Sequence, residues 1–170
     1  MFPKLSRTLA VMWNPAQFGM RRRFDEANSV APKLGLGVQS IEVRDLNELA
    51  NAFATMGKEP PEALVLIADP FTLSQRTRIV EFAAAKRLPA IYESAEFVDA
   101  GGLISYGPNL LAQYRRAAYY VDRILKGAKP GELPIEQPMQ FEMVINMKTA
   151  KALDIKISNS ILVQATKIIE

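Results

Sequence analysis

Short, nearly continuous apolar runs in this chain alternate with longer stretches in which apolar residues recur every three or four positions, predicting strands and helices in turn. Thr8 to Trp13 is the first such run and is closed by Asn14-Pro15. The pattern from about Phe18 to Leu34 predicts a helix that Pro32 should kink or end, with Gly35 and Gly37 marking the turn out. Val38 to Val43 alternates as a second strand. Asp45, with Glu48 three positions later, then has the spacing of a capping box for a helix to about Met56, before Gly57 and Pro60-Pro61. Ala63 to Ile67 is the third strand, ending at Ala68-Asp69-Pro70. Thr72 and Gln75 again have capping-box spacing, and Ile79, Phe82 and Ala83 set one face of a helix from Ser74 to Arg87. Pro89 breaks it before the strand Ala90 to Tyr92. A short helical turn at Ser94 to Val98, the Gly101-Gly102 break and a fifth strand from Leu103 to Tyr106 follow.

Strands that alternate with helices of this length form a parallel sheet with right-handed crossovers, so the expected class is α/β, a doubly wound parallel sheet. In such open sheets ligands gather beyond the carboxyl ends of the strands. The turns after the strands are therefore where binding residues are expected.

The last third is organised differently. Leu110, Tyr114, Ala117, Val121, Ile124 and Leu125 form a helical stripe with Arg115, Arg116, Asp122 and Arg123 largely opposite, and Gly127 ends it. Lys129 to Pro138 carries three prolines and a glycine and reads as an extended connection, unusual inside a small domain. Phe141 to Ile145 follows as a strand, and Asn146 can cap a short helix through Leu153.

At 170 residues, 49% hydrophobic and 23% charged, the chain suits one domain with a sizeable core. It contains no cysteine and no histidine, which removes disulfides, thiol nucleophiles, Ser-His-Asp triads and the usual zinc or haem ligands. The net charge of +3 is concentrated only at Arg21-Arg22-Arg23 and Arg115-Arg116, without interleaved aromatics, so solvated helix faces are expected and not a nucleic-acid surface. No run approaches the roughly 20 apolar residues of a membrane span. The start of the chain has Lys4 and Arg7 but lacks a small-residue cleavage site, and reads as the lead-in to the first strand.

Gly35 and Gly37 precede a strand, and Ser40 stands where a third glycine would complete a dinucleotide fingerprint, so they mark a turn. Asp69 ends the third strand as in a phosphoreceiver, but Asn14-Pro15 supplies no acidic pair for magnesium and no lysine follows the fifth strand. Glu93 and Glu96 could in principle divide acid and base work, although neighbouring surface acids are far commoner. Tyr92, Phe97 and Tyr106 sit at or past strand ends, where rings can stack on a flat ligand or cover the sheet edge.

Five blocks together carry a resemblance. Leu9 to Pro15 (LAVMWNP), Ala68-Asp69-Pro70, Leu88 to Tyr92 (LPAIY), Glu96 to Pro108 (EFVDAGGLISYGP) and Tyr114 to Pro130 are similar, in order, to the ABC-transporter substrate-binding protein family that includes the tryptophan and tyrosine binders. Leu133 to Pro138, Phe141 to Asn146 and Lys148 to Leu153 extend the match over nearly the whole chain. The resemblance implies a type I periplasmic-binding-protein fold, in which two doubly wound lobes hold a solute between them. It implies a solute-binding component with no chemistry, cofactor or metal of its own, whose partners are a small molecule such as an amino acid and a transporter permease.

The match begins at the second lobe, with flavodoxin-like strand order expected. Residues 1–101 and about 139–170 form its core on this reading. Residues from about 102 to 138 supply a crossover strand, helix and linker, with hinges near Gly101-Gly102 and Leu133 to Gln140. A helix stripe without a home should pack onto this domain or exchange with another copy, so a homodimer is expected, swapped through these hinges in one form. By the strand-end rule and the resemblance together, Asn14, Asp69, Pro70, Phe71, Tyr92, Glu93, Phe97 and Tyr106 are the expected ligand-binding positions. Periplasmic or cell-surface location follows from the resemblance, and cytoplasmic location if Met1 is the natural start. The alternative is a stand-alone flavodoxin-like regulatory or assembly domain that binds no solute.

Overall fold

The computed structural model describes residues 8–170, so the reading of Lys4 and Arg7 lies outside the described residues. Strand β1 (Thr8–Trp13) leads to helix α1 (Met20–Val30), strand β2 (Gly37–Glu42), helix α2 (Leu46–Lys58) and strand β3 (Ala63–Leu66). Two short helices, α3 (Pro70–Ser74) and α4 (Arg76–Ala85), precede strand β4 (Ala90–Tyr92), helix α5 (Ala95–Asp99) and strand β5 (Ile104–Pro108). Helix α6 (Leu110–Leu125), strand β6 (Phe141–Asn146), helices α7 (Met147–Ala152) and α8 (Asn159–Leu162) and strand β7 (Lys167–Ile169) complete the chain. The strands form one sheet in the order β2-β1-β3-β4-β5-β6-β7. β1 to β5 run parallel in the flavodoxin-like order, β6 is antiparallel to β5, and β7 is parallel to β6.

The near-continuous apolar character of β1 is explained by burial on both faces. Ala10 and Met12 enter the larger core with Leu49, Met56, Leu64, Leu66, Ile79 and Tyr92, under α2, α4 and α5. Val11 and Trp13 enter a smaller core on the other face, where Phe24 of α1 stacks on Trp13 with ring centroids 4.8 Å apart. Because paired parallel residues share a face, Ile91, Ile104 and Tyr106 lie on this second face beyond α1. Tyr106 stays half exposed and stacks on Phe141.

Several expectations shift. The predicted helix from Phe18 to Leu34 ends at Val30 and continues as a 3-10 turn over Ala31–Leu34, which Pro32 accounts for by removing a backbone donor. The predicted 74–87 helix is two helices, and its first starts earlier, at Pro70. The capping box belongs to Asp69 and Thr72, whose side chains each accept from the other's backbone N–H, and not to Thr72 and Gln75. Leu103 to Tyr106, assigned to a crossover from sequence, forms β5 inside the sheet, hydrogen-bonded to β4 on one side and β6 on the other. α8 and β7 lie beyond the last element that the sequence pattern predicted.

The excursion proper is α6 with the segment that follows it. Among the described residues, no residue of α6 is buried. One of its sides carries Arg116, which pairs with Glu136, and Tyr120, whose hydroxyl donates to the Pro134 carbonyl at 2.7 Å. The opposite side presents Leu111, Tyr114, Ala118, Val121 and Leu125 at alternating spacings of three and four, with Leu111, Tyr114 and Leu125 more than two-thirds exposed.

Candidate functional site

The carboxyl ends of β1, β3, β4 and β5 come together at one edge of the sheet, and buried polar side chains tie the first two. Asn14 follows β1 and is almost fully buried. Its Oδ1 accepts from the Ala16 amide at 3.0 Å, and its Nδ2 donates to Asp69 Oδ2 at 2.7 Å across 55 residues of sequence. Asp69 Oδ1 accepts from the Thr72 amide at 2.9 Å and the Thr72 hydroxyl at 2.7 Å. Both carboxylate oxygens are thereby engaged inside the protein, as buried charge requires. Asp69→Ala would remove the cap of α3 and strand the Asn14 amide, so a loss of about 2–4 kcal/mol of unfolding free energy is expected in urea titrations.

Glu93 plays the corresponding part after β4. Its Oε2 accepts from the Ala68 amide at 3.0 Å, and its Oε1 forms an ion pair with Arg23 of α1, 70 residues away in sequence. Burial raises the Glu93 carboxyl above its ordinary value of 4.5, while Arg23 and the Ala68 amide oppose the rise. The folded protein then holds this proton more tightly than the unfolded chain. The corresponding stability is fully present below the ordinary value and is lost as pH rises through the raised one. Unfolding free energy should therefore fall with rising pH across that window, and Glu93→Gln should flatten that part of the profile in urea titrations at successive pH values.

Between these turns lies an open concavity of about 600 Å³. Arg23 borders it from α1, Ala68, Asp69 and Pro70 from the turn after β3, and Glu93 to Glu96 from the turn after β4. Pro108 and Asn109 at the end of β5, Leu110 and Leu111 at the start of α6, and Glu142 of β6 close its far side. Asn109 caps α6 by accepting from the Ala112 amide at 2.8 Å, and its Nδ2 donates to Glu142 at 3.1 Å. A second concavity, of about 390 Å³, lies between α6 and residues 136–140 and shares Asn109 with the first. Its charged groups, Arg116 and Glu136, are already paired with each other.

Of the residues expected from sequence, Asp69, Pro70 and Glu93 border the large concavity, and Asn14 supports it from below through Asp69. Phe71 is partly buried against the larger core. Tyr92 and Phe97 do not offer rings to a cleft: both are buried in that core and stack on each other with centroids 4.8 Å apart. The alternation of a strand buried on both faces places Tyr92 inward, a distinction that apolar character alone does not reveal. Tyr106 lies on the sheet face beside Phe141 and not in the concavity. Arg23, Asn109 and Leu111 were missed. The sequence signal for Arg23 was present in the run Arg21-Arg22-Arg23, but a solvated helix face and a residue reaching over a strand end have the same sequence. Glu93 and Glu96 both border the site and have separate partners, Arg23 for one and the Ser94 hydroxyl for the other. Among the described residues no group of three or more acidic side chains is placed to hold a metal ion.

A family model described as ABC transporter substrate binding protein matches residues 1–169. The chain belongs to this family. A crystal structure of an ABC domain in complex with L-Trp, from Streptococcus pneumonia, superposes with a TM-score of 0.86 at 25% identity, over 96% of this chain and 56% of that one. A conserved domain protein from Vibrio cholerae superposes at 0.87 with 21% identity, over 98% of this chain and 55% of its own, a likeness of fold. A tyrosine-binding protein of Clostridioides difficile is 22% identical over 152 residues, 89% of this chain and 44% of the relative. The chain thus spans about half the length of the relatives it matches. Among the described residues no helix is long and apolar enough to cross a membrane.

Proposed function

We propose that this chain is a solute-binding lobe of an ABC import system that holds a small amino acid-like molecule at the carboxyl ends of β3, β4 and β5. The observation that carries the reading is the concavity bordered by Arg23, Asp69, Pro70 and Glu93 at the strand ends, where open α/β sheets gather ligands. Its mixture of a few fixed polar groups with Leu73, Ala95, Leu110 and Leu111 suits a ligand with a charged end and an apolar body. The L-Trp bound to the Streptococcus relative supports an aromatic amino acid as the first solute to test. On this reading the lobe performs no chemistry, works outside the cytoplasmic membrane and delivers its solute to a permease. Native mass spectrometry of the purified protein before and after denaturation tests it: an amino acid-sized adduct that is lost on denaturation is expected. The stand-alone assembly reading gains if no adduct forms even with L-tryptophan added in excess.

The outer stripe of α6 favours a partner for this lobe, and we propose a second copy of the chain paired through that stripe. Leu111, Tyr114, Ala118, Val121 and Leu125 follow the three-four spacing of a helix seam along about 21 Å of helix at about 1.5 Å per residue. The other side of α6 is occupied by residues 134–140. Sedimentation or light scattering should show concentration-dependent dimerisation, whereas a monomer at every concentration would remove this part of the proposal.

A further inference from the structure

Resting on the solute-binding reading, we infer that the Arg23–Glu93 ion pair is the element that recognises a zwitterion, opening so that Arg23 takes the carboxylate and Glu93 the ammonium of an α-amino acid. The two side chains come from α1 and from the turn after β4, and they meet at the edge of the concavity. Glu93 is held in place at its other oxygen by the Ala68 amide, which leaves the oxygen facing Arg23 as the exchangeable one.

The other acids at this site have partners that belong to the scaffold. Asp69 is bonded by Asn14 and Thr72, Glu96 by the Ser94 hydroxyl, Asp99 by Lys167 at 2.8 Å, and Glu142 by Asn109. Among the described residues lining the concavity, Arg23 is the one cation. The Arg23 side chain is 45% exposed, so the guanidinium stays in contact with water when it leaves Glu93, while the Glu93 carboxylate, 28% exposed, needs a replacement cation that an arriving ammonium supplies.

A ligand with both charges on one carbon leaves no charge unpaired after insertion. Its carboxylate meets the planar donor fork of the guanidinium, which is built for two-point contact with a carboxylate. Its ammonium replaces the guanidinium against Glu93, and its side chain extends over Leu73, Ala95 and Leu111. An amine without a carboxylate brings its positive charge toward Arg23 with nothing to satisfy it, and an acid without an amine faces Glu93. The ion pair thereby selects against single-ended analogues as well as for the zwitterion.

The test compares L-tryptophan, tryptamine and indole-3-propionate in titrations followed by amide chemical shifts, for the wild-type chain, Arg23→Gln, Arg23→Lys and Glu93→Gln. The wild type should bind L-tryptophan tighter than either analogue by roughly tenfold or more. Arg23→Gln should bring L-tryptophan down to the level of tryptamine, Arg23→Lys should restore part of the difference, and Glu93→Gln should bring it to the level of indole-3-propionate. Spectra as well dispersed as the wild type establish that each variant is folded. If L-tryptophan binds with shifts around the concavity but the analogues bind equally well, or Arg23→Gln changes nothing, this inference fails and the solute-binding reading stands. If none of the three compounds binds the wild type, both fail.

Discussion

Gly107→Ala will destabilise the fold by about 3 kcal/mol or more and will weaken solute binding with it. A Cβ on Gly107 would sit 1.9 Å from the Glu93 carbonyl oxygen and 2.9 Å from its carbon, distances that no side-chain adjustment relieves because the obstacle is backbone. Gly107 is buried in β5, and β5 is held between β4 and β6, so the clash must be met by moving a strand or the turn that carries Glu93. Movement of that turn disturbs the Ala68 amide contact and the Arg23 ion pair together. Urea unfolding should show a lower midpoint with an unchanged slope, as expected for a loss of stability without a change in the exposed surface. A midpoint within experimental error of the wild type would mean that β5 does not approach Glu93 as described.

If two copies pair through α6 as proposed, replacing Val121 and Leu125 together by glutamate will abolish the dimer while leaving the unfolding free energy per chain, measured at high dilution, almost unchanged. The two side chains are 55% and 82% exposed, so their replacement removes little burial within the lobe. Between two copies each would otherwise contribute on the order of 1.5–3 kcal/mol when fully buried, and opposed carboxylates at the seam add repulsion. Sedimentation velocity reads the first effect and chemical unfolding the second. A dimer that survives this double substitution would place the self-association surface elsewhere.

The strands were legible because their apolar runs are short and bounded by Asn14-Pro15, Pro60-Pro61, Asp69-Pro70 and Pro89, and each of β1 to β6 falls where the pattern puts it to within a residue or two. Placement in the sheet was less so. Nothing local in Leu103 to Tyr106 says whether it pairs with β4, and only the register with Ile91 and Tyr92 shows that it does. The site was half legible for a related reason. Asp69 and Glu93 follow strand ends directly, so the strand-end rule finds them, whereas Arg23 reaches the site from a helix that is distant in sequence. Tyr92 and Phe97 have the residue type of a stacking platform but the burial of core, and their orientation is fixed by the two-sided packing of β4 and by α5, which no spacing rule in the sequence encodes. α6 was legible as amphipathic, but its exposed stripe runs through Leu111 and Ala118, while Ala117 of the expected stripe borders the concavity beside residues 136–140. Among the described residues none of α6 is buried, although Leu110 and Leu111 at its start border the large concavity.

The most direct test of solute binding at the strand ends is an amide shift map of the isotope-labelled chain titrated with the common amino acids, L-tryptophan first. Shifts concentrated at Ala68 to Phe71, Glu93 to Phe97 and Pro108 to Leu111 are the predicted result. The account is contradicted if no amino acid moves those amides at millimolar concentration, or if the shifts centre instead on Gln113 to Tyr120 and residues 136–140.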